Sequence, residues 1–275
     1  METKETLMEQ LQTIEKWEKD QKGLWIWDRA ARLPFAVLDK ITPSFIQNKI
    51  SSLLDELGYY LQSGGKYLTK QNSILKKLER NAEIPVHTIE DVKSLPLSAM
   101  DQTALSIQKS YAGAATVQGA TTGIGGIFTL AADIPATLAI SLKTLQEIAV
   151  AYGYDPSERE ERIFIIKCLQ FSSSDIVGKR AILKEISDYA SRGSSKEMIS
   201  QMQGWREVVL SYRDQYSLKK LFRLVPVVGI VFGAISNRST IEDLAETAIM
   251  LYKKRRILER LAAAGQIEEA EPDIR

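Results

Sequence analysis

Residues 110–147 read SYAGAATVQGATTGIGGIFTLAADIPATLAISLKTLQE, and no charged residue lies between Lys109 and Asp133. Within that run Ala115, Gly119 and Gly123 recur at every fourth position. On a helix, residues four apart share one face. A face almost bare of side chains lets a second helix backbone come very close. Residues 224–237, LVPVVGIVFGAISN, repeat the idea on a shorter scale, with Gly229 and Gly233 four apart. Two such elements predict an all-α fold, a multi-helix bundle in which two glycine-rich, apolar helical elements pack tightly. No stretch shows the strict alternation of a strand.

Charge and cysteine usage narrow the class. Lys plus Arg number 36 against 35 for Asp plus Glu. No net field therefore draws the chain to nucleic acid, and the short basic clusters lack interleaved aromatics. The single cysteine, Cys168, cannot form an intramolecular disulfide and fits a reducing compartment. The first twenty residues are charged and amphipathic, without the apolar core of a secretory signal, so a cytoplasmic location is expected. The run of residues 110–132 is about long enough to span a bilayer. Its glycines and its Thr116, Gln118, Thr121 and Thr122 make it a poor lipid-facing span, and a buried helix is expected instead.

Read in order, the chain offers a succession of helices. Leu7, Leu11, Ile14 and Trp17 share a face over residues 5–20. Trp25 and Trp27 follow, among Arg29 and Arg32; such residues either pack on a core or sit half wet at a membrane interface. Thr42-Pro43 reads as a helix start. A further helix is predicted over 67–80, and 81–97 is a connector holding Pro85 and Pro96, with Thr88 and Asp91 starting a helical turn. Ser98 with Asp101 reads as a capping pair for a long helix, which Gly123, Gly125 and Gly126 interrupt. Asp133 is expected to cap the next helix ahead of Pro135, and Tyr152-Gly153 to end it. Asp155-Pro156 opens another helix. Ser194 with Glu197 forms a second capping pattern. The last helix is expected to start at Ser239 or Thr240 and stop at Gly265, with Lys253, Lys254, Arg255 and Arg256 on a solvated outer face. The expected organisation is one helical domain over 1–265, comprising N-terminal helices to 80, the connector, and a glycine-element core from 98. A disordered acidic tail over 266–275 completes it.

Few residues carry recognisable chemistry. The one histidine, His87, lies on the connector, far in sequence from Cys168. A Ser-His-Asp or Cys-His set would need it as base, and a zinc site of ordinary composition cannot be assembled, so no metal or cofactor is expected. Residues 119–126 lack the P-loop and dinucleotide-binding spacings. Asp133 stands alone between two apolar runs. It is either a helix cap or a buried acid that needs a partner, with Lys143 or Arg238 as candidates. Asp133 and Asn237 are the candidate functional polar residues. Trp25, Trp27, Lys219, Lys220 and Arg223 are candidate interface anchors, the basic ones suited to an anionic leaflet.

Several marks coincide along the chain: IEKW at 14–17, LPL at 95–97, the G-x-x-x-G-x-G-G of 119–126, ADIP at 132–135, YGYD at 152–155 and the P-x-x-G-x-x-x-G-A-x-x-N of 226–237. This set resembles the EcsC protein family of bacteria over roughly residues 10–262. The resemblance implies a helical domain with glycine-rich hairpin-like elements. It implies no reaction and no catalytic residue.

Three functions fit these features. The first is a non-enzymatic cytosolic helical protein acting at the membrane surface through its glycine-rich apolar helices, with an anionic membrane or a membrane protein as partner. The second is an interaction or assembly module whose glycine faces serve internal packing alone. Behind both stands an enzyme on a helical scaffold that uses Asp133. Whether the chain forms homo-oligomers is not written in the sequence.

Overall fold

The computed structural model describes residues 2–21, 57–63, 71–124, 130–173, 179, 182–183, 186 and 226–270. The description below concerns these residues. They form α1 (Lys4–Gln21), α2 (Asn72–Ala82), α3 (Ile89–Val92), α4 (Leu97–Ile124), α5 (Leu130–Ala151), α6 (Arg159–Ser173) and α7 (Pro226–Ala270), with residues 57–63 also helical. No strand occurs among them, and the fold is all-α as the sequence predicts.

Three long helices make the frame. α4 packs most extensively on α7, and both touch α5. Hydrogen bonds fix their directions. Lys253 reaches Asp101, and Gln108 reaches the carbonyl of Glu242, so α4 and α7 are antiparallel. Asn237 donates to Asp133 and Arg256 to the carbonyl of Tyr152, each pair 104 residues apart, so α5 and α7 run parallel in one register. α5 is the central helix: Leu138, Leu142, Leu145, Ile148 and Val150 are all buried. α1 lies across this frame on Leu7 and Ile14, with Leu11 and Trp17 packed at its margin, which is the face its spacing predicts.

Helix ends show where local signals held and where they did not. Thr88 and Asp91 form a full capping box at α3, and Val86, Ile89, Val92 and Leu95 bury the connector against the core. The expected Ser98–Asp101 cap of α4 is corrected. Its first N–H, on Leu97, donates instead to the Glu2 carboxylate at 2.5 Å, and Asp101 is engaged by Tyr152 and Lys253. The expected start of a last helix at Ser239 is also corrected, because α7 runs unbroken from Pro226. Each cap-like residue there has a side-chain partner that removes its reason to break the helix: Asn237 bonds Asp133, Arg238 pairs with Glu242, and Ser239 reaches Asp243. Gly265 does not stop α7, which continues to Ala270 and takes in the start of the expected tail.

Tyr152-Gly153 ends α5 as expected. Gly153 has φ +79°, and a Cβ there would meet Arg256 Nη2 at 3.1 Å and Val92 Cβ at 3.3 Å. Gly153→Ala is expected to lose about 1–3 kcal/mol through the left-handed backbone and the displaced arginine. A fall in the urea midpoint at constant slope checks this.

Candidate functional site

The candidate site is the end of the frame where the three long helices lose their charge together. α4 has no charged residue beyond Lys109, and α7 has none before Arg238. In α5 the only charge ahead of Lys143 is Asp133. Antiparallel α4 and parallel α5 and α7 bring these three stretches to the same end of the bundle. Chain direction and charge-free length are thus matched on separate parts of the sequence.

Asp133 ties the end together. It is fully buried, and its Oδ1 accepts from Gln118 Nε2 of α4 at 3.0 Å and from Asn237 Nδ2 of α7 at 3.1 Å. Gln118 Nε2 also lies 3.2 Å from the Asp133 carbonyl and 3.0 Å from Thr137 Oγ1. Asp133 is therefore the buried, partnered acid and not the helix cap, since α5 begins at Leu130, upstream of it. Its partners are amides from the two flanking helices rather than Lys143 or Arg238, whose side chains face solvent. Two amide donors stabilise the buried carboxylate, which helps the low-dielectric end to hold it. The two polar residues singled out in the sequence, Asp133 and Asn237, thus meet. Gln118 and Thr137 were missed as members of the node. Gln118 offers a signal, as the one amide in an otherwise small and apolar run.

Around this node the exposed described residues of the three helix ends carry no charge. Ala115 and Gly119 are buried where α4 meets its neighbours. On the opposite face of α4, Gly113, Ala114, Val117 and Thr121 are exposed, Val117 at 66%. On α7, Ile235 is 62% exposed. Gly123 lies at the end of α4, and Gly229 and Gly233 lie in the opening turns of α7. Gly125, Gly126, Trp25, Trp27, Lys219, Lys220 and Arg223 fall outside the described residues, as do the helix signals at Thr42-Pro43 and at Ser194 with Glu197.

The basic cluster of residues 253–256 is not a solvated face. Arg255 forms a two-pronged pair with the buried Glu161 of α6, at 2.6 and 3.0 Å. The guanidinium stacks 4.1 Å from the Tyr154 ring and 4.4 Å from the Phe164 ring. Arg256 is buried and donates to the carbonyls of Tyr152 and Gly153, closing the end of α5. Lys253 pairs with Asp101 and Lys254 with Glu18. Every cation of the cluster is neutralised within the fold, so the cluster has no surface field to offer a membrane. Burial pushes the Glu161 carboxyl up, against the pull of Arg255 and the Tyr252 hydroxyl. Burial likewise pushes up the Cys168 thiol, which makes it unreactive. His87 is exposed. Among the described residues no group of three or more His, Cys, Asp or Glu could hold a metal ion, and no helix is long and apolar enough to cross a membrane.

Comparison with known proteins follows the same outline. The model of the EcsC protein family matches residues 8–257. The uncharacterized protein YdbA of Bacillus subtilis (strain 168) is 58% identical over 261 residues, covering 94% of this chain and 96% of that protein. Protein EcsC of the same organism is 32% identical over 166 residues, covering 60% of this chain and 67% of its own length. No solved structure matches.

Proposed function

Because the chain belongs to the EcsC protein family, whose model spans the residues of the charge-free helix ends, we propose that it is a non-enzymatic peripheral membrane protein. It acts from the cytoplasmic side and seats those ends in the lipid surface. One observation carries the reading. Three helices lose their charges at the same end of the bundle, and the one acid within that end is buried and hydrogen-bonded. A surface meant for water gains solubility from charge there, whereas a surface meant for lipid cannot tolerate it. The exposed Val117 and Ile235 and the threonine and small residues beside them suit shallow seating rather than a span.

Vesicle flotation tests the reading. The wild-type chain is expected to float with phospholipid vesicles. Val117→Asp with Ile235→Asp places two carboxylates on the exposed side of that end, and partition should fall about ten-fold or more for each. Both sites are largely exposed, so far-UV circular dichroism should not change. A wild-type chain that stays wholly in the aqueous fraction defeats the proposal. That result would favour the assembly reading, which the burial of Ala115 and Gly119 between helices also supports.

A further inference from the structure

α1 is the long helix least embedded in the core. Of its 18 residues only Leu7 and Ile14 are buried, whereas every residue of α6 from 161 to 166 is. Its seat is chiefly α7, together with Phe171 of α6, whose ring lies 5.8 Å from that of Trp17. Leu7, Leu11, Ile14 and Trp17 repeat at the spacing of an amphipathic helix laid in a groove. Polar contacts fix both ends. At the start, the Glu2 carboxylate accepts from Arg260 Nη1 at 2.5 Å and from the Leu97 N–H at 2.5 Å. At the other end, Glu18 accepts from Lys254 Nζ at 2.8 and 2.9 Å, Trp17 Nε1 donates to Glu246 at 3.0 Å, and Gln21 accepts from Lys179 Nζ at 2.7 Å. Glu2 meets residue 260 and Trp17 meets residue 246, so α1 runs opposite to α7.

Residues 2–21 carry six acids against three lysines, so an acidic amphipathic helix lies on a strip that offers Lys254 and Arg260 to its two end carboxylates. The strip also holds Glu246, taken by the Trp17 indole, and Glu259, held by Arg256 and the Tyr154 hydroxyl. Recognition therefore rests on the named pairs and the apolar seat, not on a net field. Each of these contacts joins α1 or Glu2 to the rest of the fold, so the α1 of another copy would make the same set. Residues 22–56 join α1 to the next described helical residues, and a chain of that length extends up to about 120 Å. The covalent link alone does not tie α1 to its own copy. A helix with so little burial, held at its ends by ion pairs, opens ahead of the rest of a fold. Exchange of one identical element between protomers is a low-cost route to a dimer.

We infer that α1 is a releasable strap, and that the strip it leaves on α6 and α7 accepts the α1 of a second copy of this chain. Two copies that trade straps form a dimer. The strip spans residues 246–260 of α7, well past the uncharged stretch that ends at Arg238, so the strap and the lipid-seated reading stand or fall separately.

Native-state hydrogen exchange of the full chain should show α1 amides opening while those of α4 and α5 stay protected. Light scattering should show a wild-type dimer fraction that rises with concentration. Charge reversal supplies the decisive test. A strap variant, Glu2→Lys with Glu18→Lys, and a groove variant, Lys254→Glu with Arg260→Glu, each set like charges together at both ends. Alone, each should exchange its α1 amides roughly ten-fold faster than wild type. Mixed, they complement in trans. The lysines of the strap variant meet the glutamates of the groove variant, and the native acids of the groove variant meet the native cations of the strap variant. Protection of α1 should return, in a species of twice the monomer mass. Arg260 also donates to the carbonyls of Lys93 and Leu95, so circular dichroism checks that the groove variant is folded. The single changes Glu18→Lys and Lys254→Glu leave Arg260 in place, and mixing them should give the same result with a smaller change in exchange. Variants that stay two monomers with open straps when mixed overturn the inference. So do wild-type α1 amides that exchange only with global unfolding, and a wild-type chain that stays monomeric at every concentration.

Discussion

Glu161→Ala is expected to destabilise the fold by about 3–5 kcal/mol, the usual result of stripping a buried charge of its partner. Arg255 would lose this two-pronged carboxylate while keeping the Tyr154, Phe164 and Tyr252 rings around it. Its ring contacts would remain, yet they offset only part of the desolvation of a guanidinium. Arg255→Ala should cost a similar amount, leaving Glu161 with the Tyr252 hydroxyl alone of the two donors that now flank it. The double change Glu161→Met with Arg255→Met should recover most of the loss, because apolar residues of like volume avoid desolvating two ions. The cycle is read from urea denaturation of the four proteins. A double variant no more stable than the singles would show that the pair is more than mutually compensating. Acidity gives a second readout. Since burial raises the Glu161 carboxyl above its unfolded value, the folded chain holds that proton more tightly. The group's contribution to stability is then complete below the ordinary carboxylate range and is lost as pH rises through the raised value. Glu161→Gln should flatten that slope.

The pair also explains why part of the fold could be read from the sequence and part could not. The apolar face of α1, the capping box at Thr88 and the stop at Gly153 are local patterns, and each is realised in the structure. Residues 253–256 look like a solvated face because four adjacent cations usually are one. Their partners Asp101, Glu18, Glu161 and Glu259 come from three other helices and one further turn of α7. No local pattern announces such pairing. The same holds for Asn237 and Ser239. They carry the composition of a helix start, and side-chain partners override it. The candidate site was half legible. The loss of charge is visible in each segment separately, but only helix direction shows that three such segments share one end.

Asp133→Ala is expected to cost about 3 kcal/mol, because it removes at once the acceptor of two amide donors on two helices. Asp133→Asn keeps an oxygen in the Oδ1 position, and a neutral acceptor should hold Gln118 and Asn237 at a cost of about 1 kcal/mol. The pair of variants separates a clasp from a catalyst. A clasp tolerates asparagine because geometry matters more than charge. A general acid or base does not, because the amide cannot carry the proton. Melting temperature and vesicle partition should therefore follow the order wild type, then Asp133→Asn, then Asp133→Ala. The loss of partition in the alanine variant should follow the loosening of α4, α5 and α7 at the uncharged end, seen as faster amide hydrogen exchange there. Equal melting points for all three proteins would mean that the helix ends are held by apolar packing alone, with Asp133 buried to no structural purpose.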